Sequence, residues 1–462
     1  MHIMIRGWIS NKYVLFAALL TVCTTLIVVF YYTNHPGAEP QADTWSYLYV
    51  VNHTQTRGQL ANFWRLPGYP LFIMCIYTLV GQGNLAAVSI AQAVLFILST
   101  LELYVLALLI LRRAWVALLI ALLFGVNIPL LSYTKPIMSE ALALWLFLSL
   151  VLAIMLFLSK PCVGALWLVT LCAFLLIFTR PEWIYLPVPL FAYLLLMAVR
   201  KSAARRLLLH MIASLAFLYA TIGGYIYLNA TQNHFIGLTW IENINGLGKV
   251  LQYHMQDEAP AQYAGIRRIL DSYVAHDILD PYAILSHEPL LSRDYAAPAS
   301  QFAQTIITHH PGEFVFKSVP VFFSSLTDYH QESRIAPNGP FGPFLTWIQD
   351  RFHTLYQWNI LFLPCAMTWL FLLCWRRTRQ LDAVQKMSTV LLLSFYGLIV
   401  TCFGAYRGGD YMRIHILFDP LLILVTWGTV AMGVMLAIKY LQERTKSPFR
   451  SKVKEDEENV PI

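Results

Sequence analysis

The residues of this chain that could do chemistry are charges set against hydrocarbon. Asp43 and Glu39 follow the first apolar run, and Arg65 opens the stretch "RLPGYPLF". Lys135 and Glu140 sit in "SYTKPIMSEA", Arg180 in "FTRPEW", and Asp410 with Arg413 in "YRGGDYMR". Ionisable groups beside a membrane core are costly and tend to mark function. Here they gather at the ends of apolar runs; Glu102 lies inside one and is expected to pair within a helix bundle. A cleft lined by such acids and bases at a membrane surface suits a substrate with a lipid tail and a polar, anionic head.

Membrane-spanning helices must position these residues. Of 462 residues, 58% are hydrophobic and only 12% charged, too little charge to cover a soluble domain of that size. An apolar run of about 20 residues is long enough to cross the hydrocarbon layer as a helix. Ten are read, near 13–32, 85–111, 114–133, 137–159, 162–179, 183–199, 208–228, 356–375, 387–405 and 413–438. The expected fold is an all-α polytopic membrane protein. Segments on the side of the termini carry 19 Lys and Arg, against six in the short segments of the other side. That bias places both termini in the cytoplasm and the loop holding Asp43 outside, in a multi-pass protein of the cell (plasma) membrane. The first run is too long for a cleaved signal and reads as an anchor.

The chain then divides into a transmembrane module, 1–228, whose outer loop 33–84 holds Asp43; an extracytoplasmic region, 229–355; C-terminal transmembrane helices, 356–438; and a tail, 439–462. The tail runs basic then acidic and is expected to be disordered in the cytoplasm. Within 33–84, "PLFIMCIYTLVG" is too short to cross and reads as an interfacial helix. The 127 residues of 229–355 are too many for a structureless connection. They predict a small helical outer domain, with "GEFVFKSVPVFFSSL" resting on the membrane. The seven cysteines lie in apolar segments with no C-x-x-C pair, which argues against a disulfide framework or a Cys-zinc site. The net charge of +7 sits mostly in flanks where it suits anionic lipid headgroups, so membrane lipids rather than nucleic acid are the expected partners.

An Asp after the first span with Tyr47 one turn on, then R-x-P-G-Y-P-L-F from Arg65 through Tyr69, then Ser139-Glu140 opening a later span, resembles the GT-C glycosyltransferases. The relatives it resembles are protein O-mannosyltransferases and the aminoarabinose transferases of lipid A. "GDYMRIHILFDP" is similar to that family's acid-x-x-Arg stretch entering a late span, and "HHPGEF" to an outer-loop His-Pro segment of bacterial members. The resemblance implies an active site in the first outer loop. It implies transfer of a sugar from a polyprenyl-phosphate donor to an acceptor hydroxyl on a lipid, glycan or protein, with inversion.

In that chemistry Asp43 is the expected general base. Arg65, Arg413 and Lys135 are expected at the donor phosphate, where arginine's planar fork can grip two oxygens. Glu39, Tyr47, Tyr69, Glu140 and Asp410 are expected in supporting places. Some members carry a D-x-D-type pair, whereas Asp43 has only Glu39, four residues back. The site is therefore expected to work without a metal or other cofactor, a divalent metal being the less favoured alternative. Glu140 also reads as an acid favoured by a helix N-terminus, and Arg180 as a snorkelling edge residue. Two other functions stay open: a lipid or solute transporter, against which the lack of an internal repeat counts, and a polyprenyl-linked glycan ligase or polymerase.

Overall fold

Backbone polar groups in hydrocarbon must be satisfied within the segment, so apolar runs of this length fold as helices. The computed structural model describes residues 11–199, 204–375, 382–404, 406 and 410–458, and these are mostly helical, with loops that include 58–67 and 328–341. Among the described residues the only bridge between extended segments is an isolated parallel one, Glu39 with Pro136. Seven described helices are long and apolar enough to cross a membrane: Lys12–Asn34, Leu85–Leu111, Glu140–Ser159, Arg206–Asn233, Gly342–Cys374, Ala383–Gly404 and Asp419–Glu443.

The remaining expected spans are shorter or broken. The run 114–133 is two helices, Ala114–Gly125 and Ile128–Ser132. Asn127 stops the first and caps the second, its Oδ1 accepting from Leu130 N–H at 3.3 Å, and Pro129 fits the new first turn. The run 162–179 is a helix of 17 residues, Val163–Thr179. The run 183–199 begins as a 3-10 turn, Pro181–Tyr185, and becomes a helix only from Pro187. The last run is divided between the short helix Asp410–His415 and the helix Asp419–Glu458, which carries the chain past the expected end of the span.

Glu140–Ser159 is the centre of the bundle. Its Phe147, Leu150, Ile154 and Phe157 are fully buried, and it packs on Leu85–Leu111 and Val163–Thr179. The first helix instead exposes Val14, Leu15, Val22, Leu26 and Val29, a face suited to lipid.

The expected interfacial segment is the helix Gly68–Val80. Residues 229–355 build several short helices that bury Leu247, Leu251, Leu270, Ile284, Phe302 and Ile306, and this packing is continuous with the core of the long helices. One of them, Pro289–His309, is interrupted by left-handed backbone at Asp294, Tyr295 and Ala296. Pro311–Thr327 carries "GEFVFKSVPVFFSSL" and exposes Val315, Phe316, Val319 and Phe323 along one stripe. This region is tied to the first loop: Trp240 N–H donates to Phe63 O at 3.0 Å, and Asn233 Nδ2 donates to Ala61 O at 3.1 Å.

Candidate active site

Asp43 lies in the first turn of the helix Ala42–Arg57, where the helix dipole favours a carboxylate. Gln41 opens that helix, its backbone N–H donating to Thr44 Oγ1 at 2.9 Å. The chain then doubles back and sets Arg65 on the acid. Arg65 Nη2 meets Asp43 Oδ1 at 2.5 Å, and Arg65 Nε donates to Ser46 Oγ at 2.7 Å. The guanidinium lies 4.7 Å from the centre of the Tyr47 ring. Gly68 fixes this return by its lack of a side chain. A Cβ there would fall 2.6 Å from Phe178 O and 2.8 Å from Thr179 Oγ1. The glycine lets "RLPGYP" press against the end of the helix that precedes Arg180, so its closeness is to protein backbone rather than to an open ligand site.

Arg413, in the last turn of Asp410–His415, takes the other oxygen of Asp43, Nη2 to Oδ2 at 2.7 Å. It also meets Glu140 Oε1 through Nη2 at 2.8 Å and Nε at 2.9 Å. Glu140 is fully buried at the N-terminus of its helix and lies 3.1 Å from Arg180 Nη1. Arg180, at the C-terminal end of Val163–Thr179, also pairs with Glu182. The result is an alternating chain: Arg65, Asp43, Arg413, Glu140, Arg180, Glu182. Three cations offset three anions, and each terminal dipole favours the charge placed on it. Arg180 Nη1 is buried, and its ion pair with Glu140 lacks the alignment of a hydrogen bond.

Burial alone would raise the Asp43 carboxyl, but Arg413 and Arg65 together outweigh it and hold the group down at about 2. Asp43 is therefore ionised at neutral pH.

A cavity of about 810 Å³ opens over this chain of charges, lined by Asp43, Tyr47, Arg65, Arg180, Glu182 and Arg413. A second wall is apolar, with Ile184, Tyr185, Ile399 and Phe403. Tyr185 and Ile399 continue onto the exposed apolar surface, at 73% and 50% exposure.

The structure thus brings Asp43, Arg65, Tyr47, Glu140 and Arg413 together, with Arg180 and Glu182 added. Tyr47 hydrogen-bonds Ser139 Oγ at 3.0 Å, and Tyr69 backs it edge-on, with ring centres 4.7 Å apart. Tyr69 donates to Gln92 Oε1 and is buried behind the cavity. Lys135, expected at the phosphate, is turned elsewhere. The Glu39–Pro136 bridge draws Glu39 alongside it, and its ammonium contacts Glu39 Oε1 at 3.7 Å and the His35 carbonyl. Glu39 accordingly serves Lys135 and His35, 2.7 Å away, rather than Asp43. The Asp410 side chain lies outside the described residues, and Glu140 and Asp43 orient Arg413. Glu102 accepts from Ser149 Oγ at 2.6 Å within the bundle.

Both Asp43 oxygens carry a guanidinium, and among the described residues no three His, Cys, Asp or Glu side chains converge as metal ligands.

Fold and site define a polytopic helical membrane protein with a charged, cavity-lined centre at the ends of its helices. No family model and no curated protein matches the chain. Among solved structures it is similar to the archaeal oligosaccharyltransferase AglB from Archaeoglobus fulgidus in complex with an inhibitory peptide and a dolichol-phosphate. That likeness has a TM-score of 0.49 and 8% identity and covers 95% of this chain and 52% of that one. The apo form of the Archaeoglobus fulgidus oligosaccharyltransferase gives 0.47 and 9%, covering 96% and 53%. The form tethered to an acceptor peptide with the NVT sequon gives 0.45 and 11%, covering 92% and 50%. The chain spans about half the length of these structures.

Proposed function

We propose that this chain is a membrane glycosyltransferase of GT-C type that moves a sugar from a polyprenyl-phosphate donor to an acceptor hydroxyl on the extracytoplasmic face. One observation carries the reading: an ionised Asp43 is gripped by a different arginine on each oxygen, at the edge of a cavity whose other wall is apolar and runs out to the lipid-facing surface. An acid between two arginines has little structural reason to line a cavity beside hydrocarbon, because its burial costs free energy that hydrophobic packing would not. A lipid phosphate explains the arrangement. Its charge meets Arg65, Arg413 and Arg180, and its tail follows Ile184, Tyr185, Ile399 and Phe403.

The transfer then balances as follows. The acceptor oxygen forms a bond to the anomeric carbon as the bond from that carbon to the phosphate oxygen breaks. The phosphate leaves with the electron pair, and the acceptor proton goes to the Asp43 carboxylate. Attack opposite the leaving group inverts the anomeric centre. Before the donor binds, Arg65 and Arg413 keep Asp43 a weak base. When phosphate draws the guanidiniums, the carboxylate loses the partners that depress it and becomes a better proton acceptor. The arginines, rather than a metal ion, meet the developing charge.

The experiment supplies the purified full chain with polyprenyl-phosphate-linked hexose, N-acetylhexosamine and pentose, together with candidate lipid and peptide acceptors, and assays free polyprenyl phosphate. Release with at least one donor is expected. No release with any of them, under conditions where the donors bind, would contradict the reading.

A further inference from the structure

The charged residues lining the cavity, Asp43, Arg65, Arg180, Glu182 and Arg413, all come from the ends of the apolar helices and the loops beside them. Among the described residues the outer region lines the same cavity with polar side chains from Thr239, Asn243, Asn245, Tyr282 and Gln304, none of them charged. Two of these hold oxygens with unused hydrogen-bonding capacity. Thr239 is 3% exposed, and its Oγ1 has no partner among the described residues. Asn245 donates from Nδ2 to Gly404 O at 3.2 Å, which fixes the amide, while its Oδ1 is buried without a partner. Asn243 is fixed in the same way, Nδ2 donating to Tyr295 O at 2.9 Å.

Leaving such groups unpaired costs free energy that a ligand can recover. A threonine hydroxyl donates and accepts, and an amide oxygen accepts only. Together they match the hydroxyl of a sugar. Thr239 and Asn245 offer no counter-ion of their own to a sugar bearing an ammonium or a carboxylate, so such a group set against them would shed water without a partner there. The wall is held in place from both sides. Trp240 N–H bonds Phe63 O at 3.0 Å, and Tyr406 packs so closely on Gly248 that a Cβ there would stand 2.7 Å from its ring.

We propose that Thr239 and Asn245, with Asn243 and Gln304 beside them, form a subsite for the hydroxyls of a neutral sugar, and that this wall discriminates against charged sugars. The inference rests on the glycosyltransferase reading and names the substrate class of the same cavity.

The test measures binding to the full chain in lipid nanodiscs of three probes: bare polyprenyl phosphate, a polyprenyl-phosphate hexose and a polyprenyl-phosphate 4-amino-4-deoxypentose. The unaltered chain should favour the hexose lipid over the other two. Thr239→Val removes a hydroxyl that has no partner among the described residues, so folding should be kept. It should weaken the hexose lipid by about three- to tenfold, the scale of one neutral hydrogen bond, and leave the bare lipid unchanged. Gln304→Glu places a carboxylate on an exposed side chain whose partner, Ser300 Oγ at 3.4 Å, can turn to donate. It should raise affinity for the amino-sugar lipid. Unchanged hexose affinity in Thr239→Val, an unchanged sugar preference in Gln304→Glu, or a preference of the unaltered chain for the amino sugar would each overturn the subsite. Failure to bind bare polyprenyl phosphate would instead bring down the glycosyltransferase reading itself.

Discussion

Arg413 sets two guanidinium nitrogens on one oxygen of Glu140, Nε at 2.9 Å and Nη2 at 2.8 Å. Glu140 is fully buried and holds Arg180 as well, so it is the shared counter-ion of two arginines. Glu140→Gln would leave both guanidiniums short of a negative partner inside the protein. Breaking a buried pair in this way costs about 3–5 kcal/mol. Chemical or thermal unfolding in detergent should show a loss on that scale, and unchanged stability would contradict the role given to Glu140.

Replacing either arginine proposed to meet the phosphate by lysine keeps the charge and loses the planar fork. Arg65→Lys and Arg413→Lys should each raise the donor KM, and Arg413→Lys should also lower stability because it abandons Glu140. Donor KM and kcat unchanged in both variants would remove the arginines from the phosphate site.

The Asp43 pair sets a pH window. Its folded value, about 2, is depressed below the roughly 4 of a free aspartate. A depressed acid stabilises the fold above its unfolded value and loses that contribution as pH falls through the folded one. Stability should therefore drop between about pH 4 and about pH 2, and less steeply in Asp43→Asn. For the same reason kcat/KM of the unliganded protein should show no acid limb from Asp43 between pH 5 and 7. A limb there that vanishes in Asp43→Asn would contradict the arginine grip.

Lys249 is almost fully buried in the outer region, with its ammonium 3.2 Å from Tyr253 Oη and 3.4 Å from Tyr411 Oη. Burial pushes it down to about 7. The folded protein thus resists protonating a group that the unfolded chain protonates readily, and stability should rise with pH above about 7. Lys249→Met fills similar space without a charge and should raise Tm at pH 6. A lower Tm at that pH would show that the amine holds a partner worth more than its burial costs.

Much of the site was legible because charge beside hydrocarbon is expensive. Asp43, Arg65, Glu140 and Arg413 stand out in the sequence for that reason, and the structure places them within one cluster. The separation of Lys135 was not legible, since it depends on Glu39 pairing with Pro136 across almost a hundred residues of chain. The break at Asn127 was hidden inside a run whose hydropathy alone suits a span. Glu182 carries a weaker signal, its place two residues after Arg180 in "TRPEW". Thr239, Asn243 and Asn245 give none: neutral polar residues in a long loop are common, and only the fold shows that two of them keep buried oxygens with no partner among the described residues.

The most direct test is release of polyprenyl phosphate by Asp43→Asn beside the unaltered chain, measured as initial rate against donor concentration. The substitution removes the proton acceptor and frees Arg65 and Arg413 for the phosphate. Turnover should fall by roughly 100-fold or more, the scale of losing a general base, while donor affinity is kept or tightened. A folded Asp43→Asn protein that releases polyprenyl phosphate at the normal rate would contradict the role of Asp43 and the mechanism built on it.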